Sequence, residues 1–181
     1  MGMQQGGGHT PPNRGSLTVA DGYLRDGYFD EHGHVRRTII EITGPLTPTS
    51  DSMVARAVYA LKNDRASSQR GSESGVAYGQ LYRFFQQARA IERRYLGGEP
   101  FDALLADLAA LRPKVAVVVG RGVAPPAFKD FIDTNVTCVE QAGDVLTHVE
   151  ATRRRPEALR KGFLPHYQSV LCYYKFYTPK S

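Results

Sequence analysis

"LRPKVAVVVGRG", residues 111–122, admits two incompatible readings, and the fold follows from which one holds. As a strand, VAVVV would run into a glycine turn able to cradle a phosphate. As a helix, Pro113 starts it and Gly120 weakens its end. The valines taken alone favour extended backbone, because β-branched side chains are stiff and pack well on a pleated surface. The neighbours argue the other way: a parallel strand needs partner strands, and residues 77–181 contain no second convincing one. A helix, by contrast, could bury those valines against surrounding helices, and tertiary context overrides local propensity. "GRGVAPPAF" also lacks both GxGxxG and the GK[ST] of a phosphate loop. The stretch is therefore read as a helix, which puts Lys114 and Arg121 on nearly one face; a strand would put them on opposite faces.

The flanking segments carry the helical period. In "GQLYRFFQQARAIERRYLGG", residues 79–98, Leu81, Phe84, Phe85, Ala88, Ile91 and Tyr95 recur at three- and four-residue spacing, and Gly97 and Gly98 end the run. Arg83, Gln86, Gln87, Ala90, Arg93 and Arg94 fall opposite that stripe, so this helix has an apolar side and a cationic side without an acid. "PFDALLADLAALRP" places Phe101, Leu104, Leu105, Leu108 and Leu111 on a core side, with Asp102 favourable in the first turn and Pro113 forcing a break. Phe128, Phe131, Ile132, Val136 and Val139 make a further stripe after Pro125 and Pro126. Phe163, Tyr167, Val170, Leu171 and Tyr174 make the last, with Pro165 tolerable only near its first turn. Upstream, "SMVARAVYALKNDR" reads as a helix capped by Thr49, Ser50 or Asp51, with Met53, Val54, Val58 and Leu61 on one face. "DGYLRDGYFDEHGHVRRTIIEITG" fits hairpin turns, and its VRRTIIEI fits a short helix equally well.

The expected fold is all-α, a small bundle of about five helices. Residues 1–16, rich in Gly, Gln and Pro, are expected to form a flexible tail. Residues 17–76 form an N-terminal segment with one helix and a flexible loop at "ASSQRGSESG", and 77–181 the helical core. The 181 residues, 41% hydrophobic and 23% charged, are enough for a real core and unlike a disordered composition. No apolar run approaches the ~20 residues of a bilayer span, and the start has no signal-peptide core, so a cytoplasmic location without membrane contact is expected. Cys138 and Cys172 read as two reduced thiols. Charge divides unevenly: residues 1–76 carry eight Lys/Arg and eight Asp/Glu, and residues 77–181 carry fifteen and ten. The whole +5 thus lies in the second part, where it attracts polyanions.

These residues resemble a known family. "LRPKVAVVVGR", preceded by "QLYRFFQQARAIE" and followed by "FKDFID", resembles the small subunit of type III-A CRISPR interference complexes, the Csm type. The likeness runs from about Gly27 to the C-terminus. It is most specific in residues 80–132, in Gln80 and Leu81, Leu111 to Lys114 and Arg121, and "GYFDEHGHVR" upstream also resembles the segment before the first core helix of such subunits. Tyr82 and Val117 depart from the family, which often has an arginine and an aromatic there. The resemblance implies a non-catalytic all-α subunit, stacked in several copies along crRNA and target RNA and gripping the target backbone without sequence preference, in antiviral defence. The expected partners are those RNAs, further copies of itself, and the large and backbone subunits. Such a role needs donors to phosphate and no reactive pair. The candidate RNA-binding residues are Arg83, Arg89, Arg93, Arg94, Lys114, Arg121 and Lys129. The run Arg153 to Arg155, with Arg160 and Lys161, fits a loop that meets RNA or a neighbouring subunit, or a plain solvated turn.

No catalytic residue, metal site or cofactor is expected. His32 and His34 in "EHGH" lack further placed ligands and read as a surface turn, and His148 and His166 have no nucleophile motif beside them and read as structural. The competing reading is a small α/β nucleotide-binding enzyme using VAVVVGRG as strand and phosphate turn.

Overall fold

The computed structural model describes residues 16–64, 75–144 and 148–178; apart from Ser16 and Gly75, the expected tail and the 66–75 loop lie outside the described residues. These residues form helices α1 (Met53–Asn63), α2 (Tyr78–Leu96), α3 (Phe101–Ala109), α4 (Leu111–Gly120), α5 (Pro126–Gln141), α6 (His148–Glu157) and α7 (Leu164–Tyr177). A wide, π-helical segment, Ala158–Phe163, joins the last two. Taking α3 with α4 across a one-residue break, and α6 with α7 through the wide turn, leaves five helical units. The fold is all-α: among the described residues the extended pairing is a single antiparallel bridge, Phe29 to Val35.

The stretch at 111–122 is helical, so the strand on which the nucleotide-enzyme reading rests is not there. Pro113 sits in the first turn of α4, where its missing N–H has no helical partner to lose. A continuous α3–α4 helix would need that N–H to reach the Ala109 carbonyl, which accounts for the break at Ala110. The other end is not where the sequence placed it. Gly120 is still helical; the stop is Gly122, at φ +68°. Its N–H reaches the Val119 carbonyl at 2.8 Å, and the Val123 N–H reaches Val118 at 3.1 Å. That pair of bonds is a Schellman closure, which needs a left-handed residue and so favours glycine. The GRG turn is thus a helix terminus. α4 lies along α5 with Val115 buried and Val118 and Val119 packed on the core.

Three further expectations are corrected. The cap of α1 is Ser52, whose Oγ accepts from the Ala55 N–H at 3.2 Å while donating to the Glu41 carbonyl at 2.6 Å. Of VRRTIIEI, only Arg37–Ile39 winds, as one 3-10 turn. The basic run at 153–155 is part of α6, and the helix continues through Arg160 and Lys161 to α7. Pro165 explains the wide turn: in an α-helix its ring would strike the Lys161 carbonyl, and a π turn moves that carbonyl aside.

The core is continuous. Leu81, Phe84, Phe85, Ala88 and Ile91 of α2 meet Phe128 and Phe131 of α5 and Phe163 and Tyr167 near the start of α7. Edge-to-face pairs at 5.0–5.4 Å link Phe84 with Phe128, and Phe85 and Phe131 with Tyr167. Each such ring contributes roughly 1.5–3 kcal/mol by leaving water. The segment before α1 joins the same core through Leu17, Tyr23, Leu24, Tyr28 and Ile39.

A buried polar chain anchors that segment. His166 Nδ1 donates to the Ile39 carbonyl at 2.5 Å, leaving Nε2 to accept from the Tyr23 hydroxyl at 2.6 Å. Asn135 donates to Tyr23 at 3.3 Å and accepts from the Tyr28 hydroxyl at 2.8 Å. Burial pushes the His166 imidazole down to about 4, so it is neutral near pH 7 and structural. No helix among the described residues is long and apolar enough to cross a membrane.

Candidate nucleic-acid interface

The seven basic candidates fall into two classes once their acidic neighbours are located. Arg89, Arg94 and Lys129 are held by carboxylates. Arg89 pairs with Glu92 one turn on, a carboxylate buried on the core side of α2 and also approached by Arg160 at 3.8 Å. Arg94 lays Nε and Nη2 on the two oxygens of Glu99 at 2.8 and 2.7 Å and reaches Asp107 of α3 with Nη1. This fork holds the Glu99 carboxyl below its usual range and the guanidinium firmly protonated. Lys129 pairs with Asp133, one turn along α5.

Arg83, Arg93, Lys114 and Arg121 are different. All are exposed. Among the described residues the side chains of Arg83, Arg93 and Arg121 meet no acid, and Lys114 donates only to the neutral Gln87 Oε1, at 2.9 Å. That bond links α4 to α2. A cleft of about 210 Å³ runs between them, lined by Gln87, Ala90, Ile91 and Arg94 on one side and Asp107, Leu111 and Lys114 on the other. Arg94 meets Asp107 and Gln87 meets Lys114, so as α2 is followed backward from 94 to 87 the α3–α4 chain advances from 107 to 114. Continuing in that sense, Arg83 lies one turn before Gln87 and Arg121 two turns beyond Lys114. Lys114 and Arg121 are seven residues apart along α4, about 10 Å at ~1.5 Å per residue. The result is an elongated face of three cations and an amide. Arg93 lies on another flank of α2, roughly 80° round from Arg83 at ~100° per residue.

This face presents exposed positive charge, and among the described residues the one partner its cations hold is the neutral Gln87, on Lys114. Sequence reasoning missed Gln87 as the residue that orients Lys114, and it missed Glu92 as a buried acid on α2. Elsewhere, Arg155 is tied to the Glu140 carbonyl at 2.8 Å and to Asp144 at 3.1 Å, while Arg153 and Arg154 are exposed. A second polar hollow, about 310 Å³, gathers Arg25, Arg36 and Arg56, but Asp26 and Asp51 line it too and offset the charge.

His32 and His34 sit at a tight turn. Both backbone N–H groups donate to Asp30 Oδ1 at 2.9 Å, which builds the turn without a metal. Among the described residues no group of three His, Cys, Asp or Glu is placed to hold a metal ion. Comparisons with protein-family models, with characterised proteins and with solved structures each return no match.

Proposed function

We propose that this protein is a non-catalytic, RNA-binding small subunit of a type III-A CRISPR effector complex, gripping target RNA through its backbone. In that reading several copies line up beside crRNA and target RNA and dock on the large and backbone subunits. The observation that carries it is the row of Arg83, Lys114 and Arg121 across α2 and α4, none of them paired with an acid among the described residues. The resemblance at residues 80–132 is its second support. Sequence choice would rest with guide pairing, so the subunit needs only donors that accept any strand. Arginine offers a planar fork to phosphate oxygens and lysine a point charge.

The test is fluorescence anisotropy with two unrelated single-stranded RNAs across a salt series, comparing wild type with Lys114→Ala/Arg121→Ala. Both RNAs are expected to bind alike, with affinity falling steeply as salt rises. Each phosphate contact contributes about −0.7 to the slope of log K against log salt. The double variant should therefore lower that slope by about 1.4. An unchanged slope would remove the face from the proposal, and absence of binding at low salt would remove RNA binding by the isolated subunit.

A further inference from the structure

At the far end of the bundle from Gly97, the start of α2 and the end of α7 expose aromatic rings on stretches of helix that carry no acid. Tyr78 and Tyr82, one turn apart on α2, stack with centroids 6.3 Å apart and planes 18° apart, yet remain 38% and 48% exposed. Lys175 of α7 holds its ammonium 5.6 Å from the Tyr78 ring centroid. Phe176, beside it in sequence, is 78% exposed. α7 contains no Asp or Glu, and α2 contains none before Glu92. Large apolar rings left in water at one place mark an interaction surface.

The chemistry of this surface narrows its partner. Two near-parallel tyrosines make a flat, rigid platform with few rotamers to freeze, and a lysine over the Tyr78 ring holds a cation against it. Flat π faces bordered by cations suit a strand of unpaired bases, because every base has a π face and every link a phosphate. Arg83 follows Tyr82 directly, about 100° round the helix, so the platform is continuous with the cationic face described above.

We propose that Tyr78 and Tyr82, flanked by Lys175, form a stacking site for unpaired bases of a single-stranded RNA whose phosphates lie along Arg83, Lys114 and Arg121. The site rests on the RNA-binding reading and adds base contact to it. Stacking tolerates any sequence, so it keeps backbone gripping non-specific and suits bases of the target RNA that the guide leaves unpaired. Purines, with the larger faces, should hold better than pyrimidines.

The chain has no tryptophan, so Tyr82→Trp creates a single reporter on the platform. It is titrated with oligo-adenosine and oligo-uridine of about twelve nucleotides and with an abasic strand of equal length, while anisotropy follows binding independently. Base-bearing strands should quench Trp emission, adenosine more than uridine, and the abasic strand should bind at least about fivefold more weakly without quenching. In parallel, Tyr82→Ala should lose about fivefold or more in affinity and Tyr82→Phe should retain wild-type affinity. Binding without any change in emission, with Tyr82→Ala at wild-type affinity, would overturn the stacking site and leave the backbone reading standing. Failure of every strand to bind wild type at low salt would overturn both. A change in emission with protein concentration alone, abolished by Phe176→Ala, would assign the platform to a second copy of the chain instead.

Discussion

The seam that locks residues 16–52 onto the bundle and the face shared by α2 and α4 are made from similar polar side chains put to opposite use. In the seam, Tyr23, Tyr28, Asn135 and His166 each find a hydrogen-bond partner away from water. On the face, Arg83, Lys114 and Arg121 stand in water with no acid opposite. A buried polar group without a partner costs about 1–3 kcal/mol, so the seam tolerates little change. A solvated cation costs almost nothing until a polyanion arrives. Substitutions in the first region should break folding and leave intrinsic RNA affinity alone, and substitutions in the second should do the reverse.

The largest expected effect is at Gly162, in the wide turn between α6 and α7. A Cβ there would lie 2.5 Å from Tyr28 Cγ and 2.8 Å from its Cβ. Tyr28 cannot swing away, because its ring is buried and its hydroxyl is held by Asn135. Gly162→Ala should therefore cost about 3 kcal/mol by overpacking, read as a lower urea midpoint at unchanged m. Tyr28→Ala in the same chain makes room for the methyl, so the double variant should lose less than the sum of the two single changes. An additive result would mean that the clash is relieved elsewhere.

Next comes acid sensitivity through His166. Its folded pKa is about 4, below the ordinary value of 6.5. Between those values the unfolded chain takes up a proton that the folded chain refuses. Stability is thus intact above pH 6.5, falls as pH drops through that value, and stops falling from this source below about 4. At pH 5 the loss amounts to about 2 kcal/mol. Urea midpoints across pH 4–7 check it: His166→Gln should start lower at pH 7, from lost hydrogen bonding, but show a flatter decline. An equally steep decline would place the acid sensitivity in carboxylates.

Helical periodicity is a local signal, and what it reaches is what the sequence revealed. The core stripes at Leu81–Ile91, Phe128–Val139 and Phe163–Tyr174 were legible because each repeats within one helix, and α4 was legible because its neighbours left a strand no partner. The Schellman stop at Gly122 was hidden because a glycine inside a helix and one just past its end look alike in "VVVGRGV". The close approach of Tyr28 to Gly162 joins segments over a hundred residues apart in sequence, which no local period reveals. The candidate site divides in the same way. Arg89 with Glu92 and Lys129 with Asp133 are pairs at helical spacing that counting charge on one face overlooked. Arg94 with Asp107 and Lys114 with Gln87 join different helices, and no spacing rule gives them.

The smallest effect sharpens the comparison most, because it sets two arginines of one helix against each other. Arg83 and Arg94 lie on the same flank of α2, within roughly 20° at ~100° per residue, so helix position cannot separate them. Their counter-ions can. Arg94 would have to leave Glu99 and Asp107 to reach a phosphate, and the two carboxylates left behind would repel the strand. Arg83→Ala should weaken RNA binding severalfold and lower the salt slope by about 0.7, whereas Arg94→Ala should change affinity less than twofold. Glu99→Gln with Asp107→Asn releases Arg94, and affinity should rise beyond that of a control with equal net charge, Glu31→Gln with Asp51→Asn. If Arg94→Ala weakened binding as much as Arg83→Ala, the strand would run through the α2–α4 cleft itself. The ion pairs would then be a latch that RNA opens, and local counter-charge would no longer separate the two classes of cation.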